Sequence, residues 1–328
     1  MPTNLPPEYA KVEARHRAAT SVEEKIATLE EMLSIIPKHK GTDHLRADLR
    51  RKLSRLKSSS EKKGASRHES AYNVDREGAG QVAVIGAPNV GKSALVDALT
   101  NASPLVAAYP FTTQVPQPGM MPIDNVSVQL IDTPPLSLEF DEPQLLALVR
   151  RADAALLVID LQTVPFDQLE ESAALLIENR IIPAHLQDRF PDDSRYKVIP
   201  LLVLANKADD EAADADVEVF CELLEEPWPV LGVSATTGHN LDALKWRVYE
   251  MLDIMRIYSK PPGQQQPNYD APFVMKRGGT LEEFAGRVHK DFLVNLKSAR
   301  VWGSGVHDGQ MVGRDHVLHE GDIVELRI

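Results

Sequence analysis

Residues 81–100, QVAVIGAPNVGKSALVDALT, decide how the chain folds. Gln81 to Ile85 ends in four apolar residues and reads as a buried strand, while Ala94 onward reads as a helix. Between them GAPNVGKS, Gly86 to Ser93, matches G-x-x-x-x-G-K-S in the strand–loop–helix setting that the pattern needs. Glycines in such a loop let backbone N–H groups wrap a phosphate, and the positive end of the following helix favours its charge. Gly86, Ala87, Pro88, Asn89, Val90, Gly91, Lys92, Ser93 and Ala94 are therefore expected around the phosphates of a nucleotide. Lys92 would reach the β- and γ-phosphates, and Ser93 would offer its hydroxyl oxygen to Mg²⁺.

Outward from that stretch, apolar strands alternate with helical patterns. Strand candidates are Gln81–Gly86, Val126–Ile131, Ala154–Asp160, Val198–Ala205 and Val230–Val233, with helices after Lys92, Phe166, Ala215 and Asn240. The alternation predicts an α/β fold around a largely parallel sheet. The base is read at NKAD, Asn206 to Asp209, after the apolar run IPLLVLA. A carboxylate at Asp209 can accept from the ring N–H and the exocyclic amine of guanine, whereas adenine presents the opposite pattern. Asn206 would brace the loop and Lys207 would lie along the purine face. Ser234 and Ala235 follow another strand, VLGV, where the Ala235 N–H could meet the guanine O6. The ligand expected is GTP or GDP.

Two further segments flank this core. Residues 1–79 read as basic helices and a linker. Ser21 and Glu24 form a capping-box pattern before Ile26, Leu29, Met32, Leu33 and Ile36, and a third helix from Asp43 carries Leu45, Leu49, Leu53 and Leu56 on one stripe. Lys38 to Arg67 holds Lys38, Lys40, Arg46, Arg50, Arg51, Lys52, Arg55, Lys57, Lys62, Lys63 and Arg67 against Asp43, Asp48 and Glu61. The whole chain has a formal charge of -12, so one basic segment on an acidic protein points to a localised anionic partner. After the hinge-like PPGQQQPNYDAP comes a strand at Phe273–Lys276 and a capping box, Thr280 with Glu283, before Leu281, Phe284, Val288 and Phe292. Strands at Ala299–Trp302 and Ile323–Ile328 follow, which predicts a helix on a small mixed sheet.

These motifs together resemble the Obg/DRG branch of translation-factor-class GTPases. GAPNVGKS, YPFTTQVPQPG, LIDTPP, NKAD and SAT stand in the branch's order, and VWGSGVHDGQMVGRDHVLHEGDIVELRI resembles the TGS domain at the C-terminus of DRG proteins. The leading helices also resemble the helical start of DRG-like proteins, but the chain has no room for the domain that DRG proteins insert within the GTPase fold. The resemblance implies a smaller, prokaryotic relative with three parts. These are a helical segment at 1–79, an OBG-type P-loop GTPase domain at 80–257 and a ubiquitin-like (β-grasp) TGS domain at 258–328. It implies GTP and Mg²⁺ binding, slow hydrolysis, and work near ribosomes or RNA through the basic helices and the TGS domain. By the same resemblance Thr113 is the switch threonine that closes on Mg²⁺ and the γ-phosphate, with Thr112 its neighbour. Asp132 would bind Mg²⁺ through water, and Asn89 would help hold K⁺ beside the phosphates. Lys92, Thr113 and Asn89 are then the catalytic candidates.

One motif departs from the family. Where D-x-x-G is expected, the chain reads Asp132, Thr133, Pro134, Pro135. Pro135 has no N–H and a locked φ, so the γ-phosphate contact made by the family's glycine cannot form. Leu136 occupies the place of the water-orienting glutamine found in many small GTPases. Three readings stay open: a slow hydrolase acting as a switch, a module that holds GTP without hydrolysing it, and, compatible with either, a scaffold whose terminal domains contact RNA or protein with GTP as a gate. Trp228, Trp246 and Trp302 are read as core or interface residues, and the ten histidines show no metal-ligand spacing. The single cysteine, Cys221, excludes an internal disulfide and a cysteine-built metal site. No apolar run is long enough for a membrane span, and the N-terminus lacks an apolar signal core, so a cytoplasmic protein is expected.

Overall fold

The structure is a computed structural model that describes residues 11, 12, 15, 22–36, 49, 52, 72–100, 115–136, 143–264 and 266–327. The chain divides into two compact units, Met1–Ala71 and Tyr72–Ile328. In the first, helix α1 (Val22–Ile35) buries Leu29 and Met32, which gather with Val12, Ile36 and Leu49 into a small apolar cluster. Leu29, Met32 and Ile36 of the expected stripe are thus buried, with Leu33 packed beside them. Most of the basic run, and Ser21 of the expected capping box, lie outside the described residues.

The second unit begins with strand β1 (Gln81–Ile85), all five residues of which are buried. Helix α2 (Lys92–Leu99) follows the loop, then β2 (Gln117–Ile123), β3 (Val126–Asp132), α3 (Pro143–Arg151), β4 (Ala154–Asp160) and α4 (Pro165–Glu178). After these come β5 (Ile181–Pro183), β6 (Lys197–Ile199), β7 (Leu201–Asn206), α5 (Glu211–Leu223), β8 (Val230–Gly232) and α6 (Leu241–Met251). The main sheet has the order β2-β3-β1-β4-β7-β8 and is parallel except for β2, which pairs antiparallel with β3 at one edge. Alternation along β1 feeds two cores. Val82 and Val84 pack with Leu95, Val96, Leu244 and Val248 on one face, and Ala83 and Ile85 with Leu145, Leu148, Leu169 and Phe220 on the other. Burial on both faces is why these strands read as continuous apolar runs. Truncating one fully buried member, Leu156→Ala, should cost about 2–5 kcal/mol.

The expected strand Val198–Ala205 is two strands. Pro200 has no N–H to donate to a ladder, and the chain changes sheets there: β6 pairs with β5, and β7 joins the main sheet. Strand β2 and helix α3 were not anticipated.

The rest of the unit is a second sheet, built from β9 (Ile254–Ser259), β10 (Phe273–Lys276), β11 (Ser298–Trp302), β12 (Gln310–Val312) and β13 (Ile323–Arg327), in the order β10-β9-β13-β11-β12. It is mixed, with β13 parallel to β9 and the other pairs antiparallel. Helix α7 (Leu281–Val288) packs Leu281, Phe284 and Ala285 against Ile257, Ala299, Val301 and Val324, and a short helix, α8 (Lys290–Asn295), follows. The Thr280–Glu283 capping box is present with both hydrogen bonds. A helix on a mixed sheet is the β-grasp arrangement expected. Strand β9 crosses the expected 257/258 boundary, because it follows α6 after two residues and reads as its continuation.

Candidate nucleotide site

Every parallel strand of the main sheet delivers its site residue at the carboxyl end, where crevices open in doubly wound sheets. From β1 the chain enters the phosphate loop. Gly86 has φ 146°, and a Cβ there would stand 2.3 Å from the Val158 carbonyl oxygen, so the close approach needs glycine. Gly91 begins α2 at φ 94°, and a Cβ there would lie 2.4 Å from the Asn206 side-chain nitrogen. Val90 is turned into the core, whereas Pro88 and Asn89 are exposed, with Asn89 at φ 62°. Asn89, Gly91, Lys92, Ser93, Ala94, Thr133 and Pro135 line a hollow of about 200 Å³. A larger hollow, about 500 Å³, is lined by residues such as Pro200, Leu201, Pro229 and Val230 at the opposite ends of β7 and β8, and none of the phosphate-loop residues reaches it.

Lys92 is 7% exposed and folds back on its own loop, donating to the carbonyls of Gly86 at 3.0 Å and Ala87 at 2.9 Å. Burial pushes its ammonium from 10.5 down to about 8, and Asp132 partly opposes this. An ammonium so poorly solvated gains strongly from an arriving phosphate. Ser93 Oγ donates to Asp132 Oδ2 at 2.6 Å, which brings the two expected Mg²⁺ residues together as an oxygen-only pair suited to a hard cation. Thr113 lies outside the described residues.

Past Asp132, Thr133 is fully buried and its hydroxyl donates to the Val84 carbonyl at 2.7 Å. Pro135 lines the hollow, and the next N–H, that of Leu136, donates to the Gly86 carbonyl at 2.9 Å. Leu136 itself is buried in the core on the far face of the sheet.

The loops expected to read the base converge through Asn206, which is 2% exposed. Its amide nitrogen donates to the Val90 carbonyl at 2.8 Å, and its oxygen accepts from the Ala235 N–H at 3.3 Å, so one side chain joins the phosphate loop to the Ser234–Ala235 turn. Ser234, fully buried, donates its hydroxyl to Asp209 Oδ1 at 2.6 Å and accepts from the Thr236 and Thr237 N–H groups. Asp209 is exposed at the rim. Lys207 takes φ 68° and pairs with Asp160 Oδ2 at 2.5 Å. Asp160, 4% exposed at the end of β4, is a participant that the sequence reading missed. Its signal was available, since LLVID ends in an acid just as VQLID does.

Comparison with known proteins agrees with this geometry. The family profile described as 50S ribosome-binding GTPase matches residues 81–187, and the TGS domain profile matches 255–328. An uncharacterized GTP-binding protein of Methanocaldococcus jannaschii is 32% identical over 94% of this chain and 93% of its own length. That alignment runs to 369 positions against the 328 residues here, so the relative carries segments that this chain lacks. Developmentally-regulated G-protein 1 of Arabidopsis thaliana is 28% identical over 92% of this chain and 90% of its own. The YchF GTPase of Schizosaccharomyces pombe shares the fold, with TM-score 0.51 at 14% identity over 77% of this chain and 99% of that one. With near-complete coverage of the archaeal relative and both domains in order, the chain belongs to the Obg/DRG-type family of GTP-binding proteins that carry a C-terminal TGS domain.

Proposed function

We propose that this protein is a slow, Mg²⁺-dependent GTP hydrolase that works as a molecular switch on an RNA or ribosomal partner in the cytoplasm. The observation that carries the reading is the Asn206 bridge, which sets the phosphate loop and the guanine-reading loop at one spacing before any ligand arrives. Asp209, held by Ser234, accepts the two guanine donors. Lys207, held by Asp160, lies along the base. Gly86 to Ala94 surround the phosphates, where Lys92 exchanges its two carbonyl partners for phosphate oxygens. Ser93 and Asp132, with Thr113 added by the family pattern, would hold Mg²⁺. Bound there, that ion supplies neutralisation of charge shared by the β- and γ-phosphates. Asn89 at the rim of the hollow is the side chain that would add K⁺ beside them, in place of an arginine finger.

A second reading, nucleotide binding without turnover, is favoured by one feature. Pro135 offers no N–H to the γ-phosphate, and the Leu136 N–H is already committed to Gly86. Single-turnover hydrolysis with Mg²⁺ and GTP separates the two: phosphate release supports the hydrolase, and bound GTP that persists supports the second reading. For the partner, the run of cations from Lys38 to Arg67 implies binding whose affinity falls as salt rises. Replacing Arg50, Arg51, Lys52 and Arg55 by Glu in the full chain should remove RNA binding, and full retention would overturn that assignment.

A further inference from the structure

The turn between β2 and β3 meets the C-terminal domain through a dense polar cluster. The Arg256 guanidinium, on β9, is 15% exposed. It donates to Asp124 Oδ2 at 2.6 Å, to Asn125 Oδ1 at 3.1 Å and to Glu320 Oε1 at 2.7 Å. Glu320 also accepts from the Tyr249 hydroxyl at 2.8 Å and the Arg256 N–H at 2.9 Å. Asn125 donates to the Tyr258 hydroxyl at 3.0 Å and the Tyr269 carbonyl at 2.9 Å. The guanidinium lies 5.6 Å from the Tyr249 ring and 6.0 Å from the Trp246 ring.

The other end of the same hairpin is the nucleotide site. β3 ends at Asp132, which holds Ser93, and Gln117 of β2 stands opposite it. Thr113 lies four residues before Gln117 in sequence. Asp132, expected to respond to Mg²⁺, therefore sits at the open end of one leg, with Gln117 at the open end of the other. β2 is a sheet edge, so it can shift without breaking a second ladder. Seven extended residues span roughly 20 Å, so each leg reaches from the turn to the nucleotide end of the sheet.

We propose that Arg256, clamped on the Asp124–Asn125 turn, is a positioning residue that couples the nucleotide bound at the far end of the hairpin to the seating of the C-terminal domain. This rests on the GTP reading above. Reciprocity then follows: if GTP and GDP place the turn differently, loosening the turn must change their relative affinities.

The test uses the full chain with Trp228→Phe and Trp302→Phe, leaving Trp246 as the sole indole beside Arg256. Its emission is compared with GDP and with a non-hydrolysable GTP analogue, and both affinities are measured. The paired change Asp124→Asn with Asn125→Ala loosens the clamp at an exposed turn while keeping the turn's backbone preference. The expected result is a different Trp246 emission for the two nucleotides. The paired variant should lose that difference and shift the analogue-to-GDP affinity ratio by about fivefold or more. Identical emission with both nucleotides bound, or an unshifted ratio in the variant, would overturn the coupling. Failure of either nucleotide to bind would overturn the GTP reading itself and the coupling with it.

Discussion

Replacing Asn206 by alanine removes a single side chain that spans two loops. Its amide donates to the Val90 carbonyl at 2.8 Å and accepts from the Ala235 N–H at 3.3 Å, and it is 2% exposed. A net hydrogen bond contributes about 1 kcal/mol, and a buried group left without a partner costs about 1–3 kcal/mol. The longer bond to Ala235, which is only part-buried, falls at the low end of that range. The expected loss is therefore about 2–4 kcal/mol of unfolding free energy, measurable by urea denaturation of the nucleotide-free protein. The loss also frees the phosphate loop, because Gly91 packs directly on the Asn206 amide. GDP affinity should fall at least about thirtyfold, the equivalent of 2 kcal/mol. Asn206→Asp keeps the shape but sets a carboxylate against the Val90 carbonyl, so it should fare no better. A stability loss below about 0.5 kcal/mol with GDP affinity intact would refute the bridge.

Burial holds the Lys92 ammonium at about 8 against 10.5. The unfolded chain therefore binds more protons between about pH 8 and 10.5, so stability of the nucleotide-free protein should rise with pH across that window, the penalty being fully present below it. Phosphate restores the charge, so near pH 8 calorimetry in buffers of different ionisation enthalpy should show uptake of about half a proton per GTP, and none in Lys92→Met. Pro135→Gly restores the missing N–H; a hydrogen bond to a charged group contributes about 1.5–3 kcal/mol, so the affinity ratio of GTP analogue to GDP should rise about tenfold or more. K⁺ should accelerate turnover relative to Na⁺ at equal ionic strength, and Asn89→Ala should abolish the difference; equal rates in wild type would exclude a K⁺ site.

The candidate nucleotide site is readable in the sequence where its expected chemistry is local. Gly86 to Ser93 must be contiguous to wrap a phosphate, and Asp209 must follow Asn206 closely to face one base. Asn206 is readable as a loop brace, but its partners Val90 and Ala235, like the pairing of Asp160 with Lys207, depend on strand order in space. β2, QPGMMPI, reads as a loop because of Pro118, Gly119 and Pro122, which an edge strand tolerates. α3 was hidden because LLALV runs almost directly into AALLVID, so helical and strand apolar periods merge. β12 has only three residues and carries no readable period. The clamp of Arg256 on Asp124 joins positions far apart in sequence, and nothing in the local pattern of either marks it.

The central claim is that this site selects guanine nucleotides through Asp209. It is tested most directly by calorimetric titration of wild type and Asp209→Asn with GTP, ATP and xanthosine triphosphate, all with Mg²⁺. The account predicts that wild type binds GTP at least about 100-fold more tightly than ATP, and that Asp209→Asn loses GTP while gaining xanthosine triphosphate. Equal affinity of wild type for ATP and GTP, or unchanged GTP affinity in Asp209→Asn, would contradict it.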